Sequence, residues 1–205
     1  MLNVALPKGR LSDQAYTLLS SCGYGGESAV NERQLEFNGN GVRYLLVKPG
    51  DVGIYVERGA ADVGIVGKDI LLETYPDIYE LLDLNIGRCR MAVAAKNGFI
   101  DNLAQPLKVA TTFPRIARDY FNSQNRETEI IKLHGSVELA PVLGLSDVIV
   151  DLVESGSTLR ANGLSIISEI MPISARLIAN KSAFIFKKRL IEQMLNNLKG
   201  AVKND

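Results

Sequence analysis
A chain of 205 residues is long enough for one large domain or for two small lobes with a true hydrophobic core. Hydrophobic residues make up 46% and charged residues 22%, the balance expected of a soluble globular enzyme. Lys+Arg and Asp+Glu are equal at 23 each, so no net basic field draws nucleic acid or an anionic membrane as the main partner, although a local basic pocket stays compatible with that balance.

Residues 3–6, Asn-Val-Ala-Leu, read as a first strand, and residues 7–10, Pro-Lys-Gly-Arg, as a tight loop with two cations. Lys8 and Arg10 interrupt the N-terminus before a signal-peptide core can form, and no later run approaches the roughly 18 apolar residues of a membrane span. Leu11, Ala15, Leu18, Leu19 and Cys22 recur at helical spacing, with Gly23 just beyond. Cys22 and Cys89 are the only cysteines and make no CxxC pair, which favours free thiols in a reducing cytoplasm over a disulfide framework or a zinc site. Residues 35–38 and 42–47 read as strands around the hairpin loop Gly39-Asn40-Gly41. Asp51 is expected to cap a helix carrying Val52, Ile54, Tyr55 and Val56, stopped at Gly59. Residues 62–67 form a short buried strand, and Lys68-Asp69 open the helix after it.

This alternation of strand and helix argues for an α/β layer architecture. Further strands are expected at 91–95, 107–111 and 129–133, with a helix from Thr112-Phe113-Pro114-Arg115 to near Phe121 and a short one over 137–144. His134, the sole histidine, reads as a loop residue rather than a catalytic base. Residues 165–171 and 174–179 read as strands that return the chain to its first lobe. Residues 187–199, with Leu190, Ile191, Met194, Leu195 and Leu198, form an amphipathic closing helix, and 203–205 a frayed tail. The expected lobes are 1–88 plus 171–205, and 89–170.

Residues 147–164 carry the most chemistry. An apolar, β-branched run turns small and polar through Ser155, Gly156, Ser157 and Thr158, and a short helix over 159–161 stops at Asn162-Gly163. Polar residues between a strand's carboxyl end and a helix's amino end meet free N–H groups and the positive end of the helix dipole, where a phosphate is a natural guest. Gly156 lets the backbone close on it, and three hydroxyls add donors. Asp151 and Glu154 suit sugar hydroxyls or a Mg²⁺ that accompanies a polyphosphate. Ordinary capping of a strand–turn–helix accounts for the Ser and Thr residues as well at this stage. A Walker A loop is excluded by the missing Gly-Lys-Ser/Thr, and a Rossmann fingerprint by the glycine spacing. The Lys8-Gly9-Arg10 triplet suits either a polyanion at the sheet edge or a solvated surface turn.

Four segments in register, 5–11, 61–69, 135–141 and 151–164, resemble ATP phosphoribosyltransferase, and the resemblance runs in order from residue 3 to about 180. The chain resembles the short form, which stops near residue 205 where a long form continues into a regulatory domain. The resemblance implies two α/β lobes with the crossover of type II periplasmic binding proteins and an active site in the cleft. It implies that adenine N1 of ATP attacks C1 of phosphoribosyl pyrophosphate (PRPP) with inversion, that pyrophosphate leaves accompanied by Mg²⁺, and that a separate regulatory chain related to histidyl-tRNA synthetase joins a hetero-oligomer. On this sequence it implies that Ser155, Gly156, Ser157 and Thr158 hold the 5′-phosphate of PRPP, with Asp151 and Glu154 near the ribose hydroxyls. Lys8 and Arg10 would meet the pyrophosphate or triphosphate, Gly9 would allow close approach, and Lys48 and Asp69 would lie on the ATP side. No protein metal ligand is assigned. Two other readings compete: a solute-binding protein of the same fold, and a PRPP-dependent transferase acting on a free base.

Overall fold
The computed structural model describes residues 1–26 and 34–202; the expected frayed tail at 203–205 lies outside them. The chain forms two compact units, Met1–Gly87 with Ser174–Asp205, and Arg88–Ile173. Residues 171–173 belong to the second unit because its last strand runs unbroken to Ile173.

Unit 1 is built on a six-stranded sheet. β1 (Leu2–Pro7) lies between β3 (Val42–Val47) and β4 (Val63–Gly67), parallel to both. β2 (Glu36–Gly39) turns onto β3 as the expected hairpin. β11 (Ala175–Ala179) inserts antiparallel between β4 and β5 (Tyr79–Asp83), giving the order β2-β3-β1-β4-β11-β5.

Side chains alternate across this sheet, and two cores follow. Val4, Leu6, Ile65 and Leu177 face α1 (Arg10–Leu19) and α8 (Lys188–Val202), which contribute Ala15, Leu19, Ile191, Met194 and Leu198. Ala5, Val66 and Ile178 face the other way, against Val52 and Val56 of α2 (Val52–Glu57) and Leu71 of α3 (Lys68–Thr74).

Three local features differ from the sequence expectation. Asp51 makes no side-chain cap, because Pro49–Asp51 already wind a 3₁₀ turn and Asp51 itself has helical φ and ψ. The first helix runs on into a π-helical turn, Ser20–Tyr24, inside which Gly23 adopts φ 89°. A further helix, α7 (Lys181–Phe186), precedes α8, and Asn180 caps it by accepting the Ala183 N–H at 2.8 Å.

Unit 2 is a five-stranded sheet in the order β10-β6-β9-β7-β8. β7 (Leu107–Thr111), β8 (Thr128–Lys132) and β9 (Val148–Val153) are parallel. β6 (Cys89–Lys96) is antiparallel to both β9 and the long β10 (Leu164–Ile173). On one face Ala92, Ala94, Ala110 and Ile149 pack with Ala140 of α5 (Leu139–Val142) and Leu159 of α6 (Ser157–Ala161). α4 (Pro114–Ser123) packs on β7 and β8 and buries Ile116, Ala117 and Phe121.

Candidate active site
In unit 2 the carboxyl ends of the parallel strands β7, β8 and β9 carry the loops that start α4, α5 and α6. Open parallel sheets bind ligands at this edge. A cavity of about 250 Å³ lies there, lined by Glu138 and by residues 151–159. The phosphate loop of the sequence reading therefore lines one concave surface.

Its shape has identifiable causes. Thr111, fully buried at the end of β7, donates its hydroxyl to the Val150 carbonyl at 2.6 Å and accepts the Phe113 N–H at 2.9 Å. That clamp fixes β9 one residue before Asp151. After Glu154 the backbone reverses at Gly156, with φ 72° and ψ 11°, a left-handed conformation that a side chain strains. α6 starts at Ser157, two residues earlier than expected, so Ser157 and Thr158 lie in its first turn, where N–H groups have no intrahelical acceptor.

Leu159, 5% exposed, anchors the helix in the core. The Ser155 and Ser157 hydroxyls share a hydrogen bond of 3.0 Å, and the Ser157 N–H donates to Ser155 Oγ at 3.3 Å. Ser155, Ser157 and Thr158 are exposed, as is Glu154, while Asp151 is half-buried. The sequence reading quoted Glu138 in a motif without giving it a site role. It lies after β8 and lines the same cavity as residues 151–159, and that place at a strand's carboxyl end is what the sequence offered.

In unit 1, β1, β3 and β4 are parallel neighbours, and each is followed at its carboxyl end by a lysine: Lys8, Lys48 and Lys68. The Lys8 N–H donates to the Val47 carbonyl at 2.8 Å, which extends the β1–β3 register and brings Lys8 beside Lys48. Lys8, Gly9, Arg10 and Lys48 are exposed. Gly9 adopts φ 98°, yet a Cβ built there meets nothing within 4 Å, so the backbone conformation, rather than close packing within the chain, calls for glycine.

Lys68 is half-buried and pairs with Glu80 at 2.6 Å. Asp69 is only 7% exposed. Burial pushes its carboxyl pKa up, opposed by the backbone N–H groups of Asp69 and Ile70 that it accepts, and the carboxylate folds back over Gly67. Asp69 thus faces the start of its own helix. His134 stands exposed in the loop after β8. Among the described residues no group of three or more His, Cys, Asp or Glu side chains converges as a metal cage.

The chain is similar to known proteins along nearly its whole length. Residues 48–200 match the family described as HisG: ATP phosphoribosyltransferase. An ATP phosphoribosyltransferase of Brachyspira hyodysenteriae is 55% identical over 202 residues, covering 97% of this chain and 98% of the relative. The solved structure titled ATP phosphoribosyl transferase (HisG:HisZ) complex from Thermotoga maritima superposes with TM-score 0.86 and 34% identity, covering all of both chains. The periplasmic aliphatic sulphonate binding protein SsuA from Escherichia coli shares the fold at TM-score 0.63 and 13% identity, covering 98% of this chain and 72% of its own. The two-unit α/β architecture is thus of the type II periplasmic binding protein kind.

Proposed function
The chain belongs to the ATP phosphoribosyltransferase family, and we propose how its own residues divide that enzyme's reaction. The reaction, the first step of histidine biosynthesis, transfers the phosphoribosyl group of PRPP to N1 of ATP and releases pyrophosphate. We assign the 5′-phosphate of PRPP to Ser155, Gly156, Ser157 and Thr158, and the ribose hydroxyls to Asp151 and Glu154. The observation that carries this is the concave wall formed by residues 151–159, with a left-handed glycine at its turn. Glu138, on the same wall, joins the carboxylates near the ribose.

Lys8 and Arg10 neutralise the pyrophosphate or triphosphate, with Gly9 shaping the turn between them. Lys48, brought beside Lys8 by strand register, serves the ATP side. Asp69 supports that edge by holding the start of α3, and its burial argues against direct contact with the nucleotide.

Magnitudes support a division between the two sets. Charge-assisted hydrogen bonds contribute roughly 1.5–3 kcal/mol each, so four at the loop gross about 6–12 kcal/mol. Association costs at least about 4 kcal/mol. Micromolar affinity needs about 8 kcal/mol net, which the loop reaches only at the very top of that range, so the cationic groups contribute across the rest of it.

The chemistry asks for positioning and charge neutralisation rather than a covalent nucleophile. Adenine N1 attacks C1 from the face opposite the departing pyrophosphate, and configuration inverts. A divalent cation, which we take to be Mg²⁺, would accompany the substrate's diphosphate and supply charge neutralisation there, beside the neutralising charges of Lys8 and Arg10. The relative from Thermotoga maritima is a HisG:HisZ complex, which supports a regulatory partner chain, resembling histidyl-tRNA synthetase, for this protein. No helix among the described residues is long and apolar enough to cross a membrane, and substrates such as ATP and PRPP fit a cytoplasmic enzyme.

The test is an absorbance assay with ATP, PRPP and Mg²⁺, with and without the regulatory chain. Formation of phosphoribosyl-ATP is expected. Transfer to a free base instead would favour another PRPP-dependent transferase, and no turnover with a competent partner would leave a binding protein.

A further inference from the structure
The residue that closes the phosphate loop from behind is Arg160, which the sequence reading left without a role. Its backbone N–H donates to the Gly156 carbonyl at 3.1 Å and closes the first turn of α6. Its guanidinium folds back along the helix, and Nη1 donates to the Ser155 carbonyl at 3.1 Å. The same nitrogen lies 3.2 Å from where a Cβ on Gly156 would stand. One side chain thus spans the loop from its first hydroxyl residue to its left-handed turn.

Helix electrostatics do not explain this placement. The Arg160 backbone lies in the last turn of α6, where a cation favours the dipole, but its charge sits at the opposite, amino-terminal end. There the charge opposes the dipole and suits an anion. No carboxylate pairs with Arg160 among the described residues, and one of its five N–H donors is engaged by the Ser155 carbonyl. Unheld, that carbonyl would be free to turn its negative end toward a bound phosphate. Held, it leaves the outward N–H groups and hydroxyls of residues 156–158 as the surface an anion meets.

We propose that Arg160 is the positioning residue of the phosphate loop: it pins the Ser155 carbonyl behind Gly156 and so sets the enzyme's affinity for the phosphate monoester end of PRPP. This rests on the assignment of that loop to the 5′-phosphate. Arg160 acts through the loop backbone, so its effect falls on binding of PRPP and not on the chemical step.

The experiment compares Arg160→Ala, Arg160→Lys and Thr158→Ala in the full chain. Calorimetry measures binding of ribose 5-phosphate, PRPP and ATP, and steady-state kinetics are run with the regulatory chain present. Arg160→Ala should raise Kd for ribose 5-phosphate and KM for PRPP about tenfold, the loss of one charge-assisted hydrogen bond. It should leave kcat within about twofold and ATP binding unchanged. Arg160→Lys, which can still donate to the carbonyl, should recover part of the loss, which a simple packing role would not predict.

Unchanged affinity for ribose 5-phosphate in Arg160→Ala, with Thr158→Ala weakened, overturns the role of Arg160 and leaves the loop assignment standing. Unchanged affinity in both overturns the loop assignment itself. Equal losses for PRPP and ATP, or no recovery with lysine, reduce Arg160 to a structural residue and also overturn the proposal.

Discussion
The two edges we assign to anions are built on different principles. In unit 2 the loop over residues 155–158 is bonded to itself: Ser155 to Ser157, Arg160 to Ser155, and Thr111 to the strand beneath. In unit 1 the edge is a set of lysines on parallel strand ends, and Lys8 and Lys48 are exposed. A preformed cradle of amides and hydroxyls suits a phosphate that keeps its position and charge through a reaction. Flexible ammonium groups are point charges that tolerate movement and suit a group that departs. On the proposed assignment, the difference separates an edge that governs binding from one that governs rate.

Five substitutions break or sharpen that contrast. Lys8→Ala should have the largest effect, slowing kcat about 10²-fold with a smaller change in KM for PRPP, because a charge that stabilises the leaving group is lost. Steady-state kinetics check it, and wild-type turnover would remove Lys8 from the site. Next come the two positive-φ glycines compared directly. Gly156→Ala should raise KM for PRPP about five- to thirtyfold, since a left-handed alanine costs roughly 1–2 kcal/mol and its Cβ also crowds Arg160. Gly9→Ala carries the backbone strain without any crowding and should disturb PRPP binding less. The reverse order would contradict the picture of a rigid cradle in unit 2 and a permissive edge in unit 1.

Thr111→Val tests whether the cradle's stiffness comes from below. Two buried groups, the Val150 carbonyl and the Phe113 N–H, lose their partner. Stability should fall by about 1–3 kcal/mol, seen as a Tm lowered by several degrees, with kcat nearly unchanged. Asp69→Asn is the smallest and depends on pH. Burial raises the folded-state pKa of Asp69, so the native state disfavours the carboxylate and stability falls as pH rises from the unfolded value of 3.8 through the folded value. The asparagine variant should therefore be slightly more stable than the parent at pH 7, with the gap closing as pH drops toward 3.8. Denaturant titrations at several pH values show whether it does.

Much of this was legible along the chain. The β-branched runs of β1, β4 and β9, the Asn40-Gly41 turn and the spacing of Ile191, Met194 and Leu198 are local signals, and each marks an element near its place in the fold. The strand–turn–helix over residues 148–161 was readable because strand, small polar residues and helix follow one another directly. What escaped depends on contacts distant in sequence or on a side-chain conformation. Thr111 reads as one more strand residue until β7 is paired with β9, 39 residues away. Arg160 reads as a helix-ending cation until its guanidinium turns back. Asp51 carried a capping signal that a preceding Pro-Gly 3₁₀ turn made redundant, and the Asn180 cap that opens α7 was passed over because the strand before it runs straight into the helix.

The insertion of β11 between β4 and β5 sets an order of assembly. During vectorial synthesis, residues 88–173 emerge as one uninterrupted stretch that can complete its own sheet. The first 87 residues cannot, because among the described residues β5 is hydrogen-bonded into its sheet only through a strand that leaves the ribosome some ninety residues later. The later-made half is thus free to mature first, while the N-terminal half waits with an unfilled slot beside β4 until its final strand arrives.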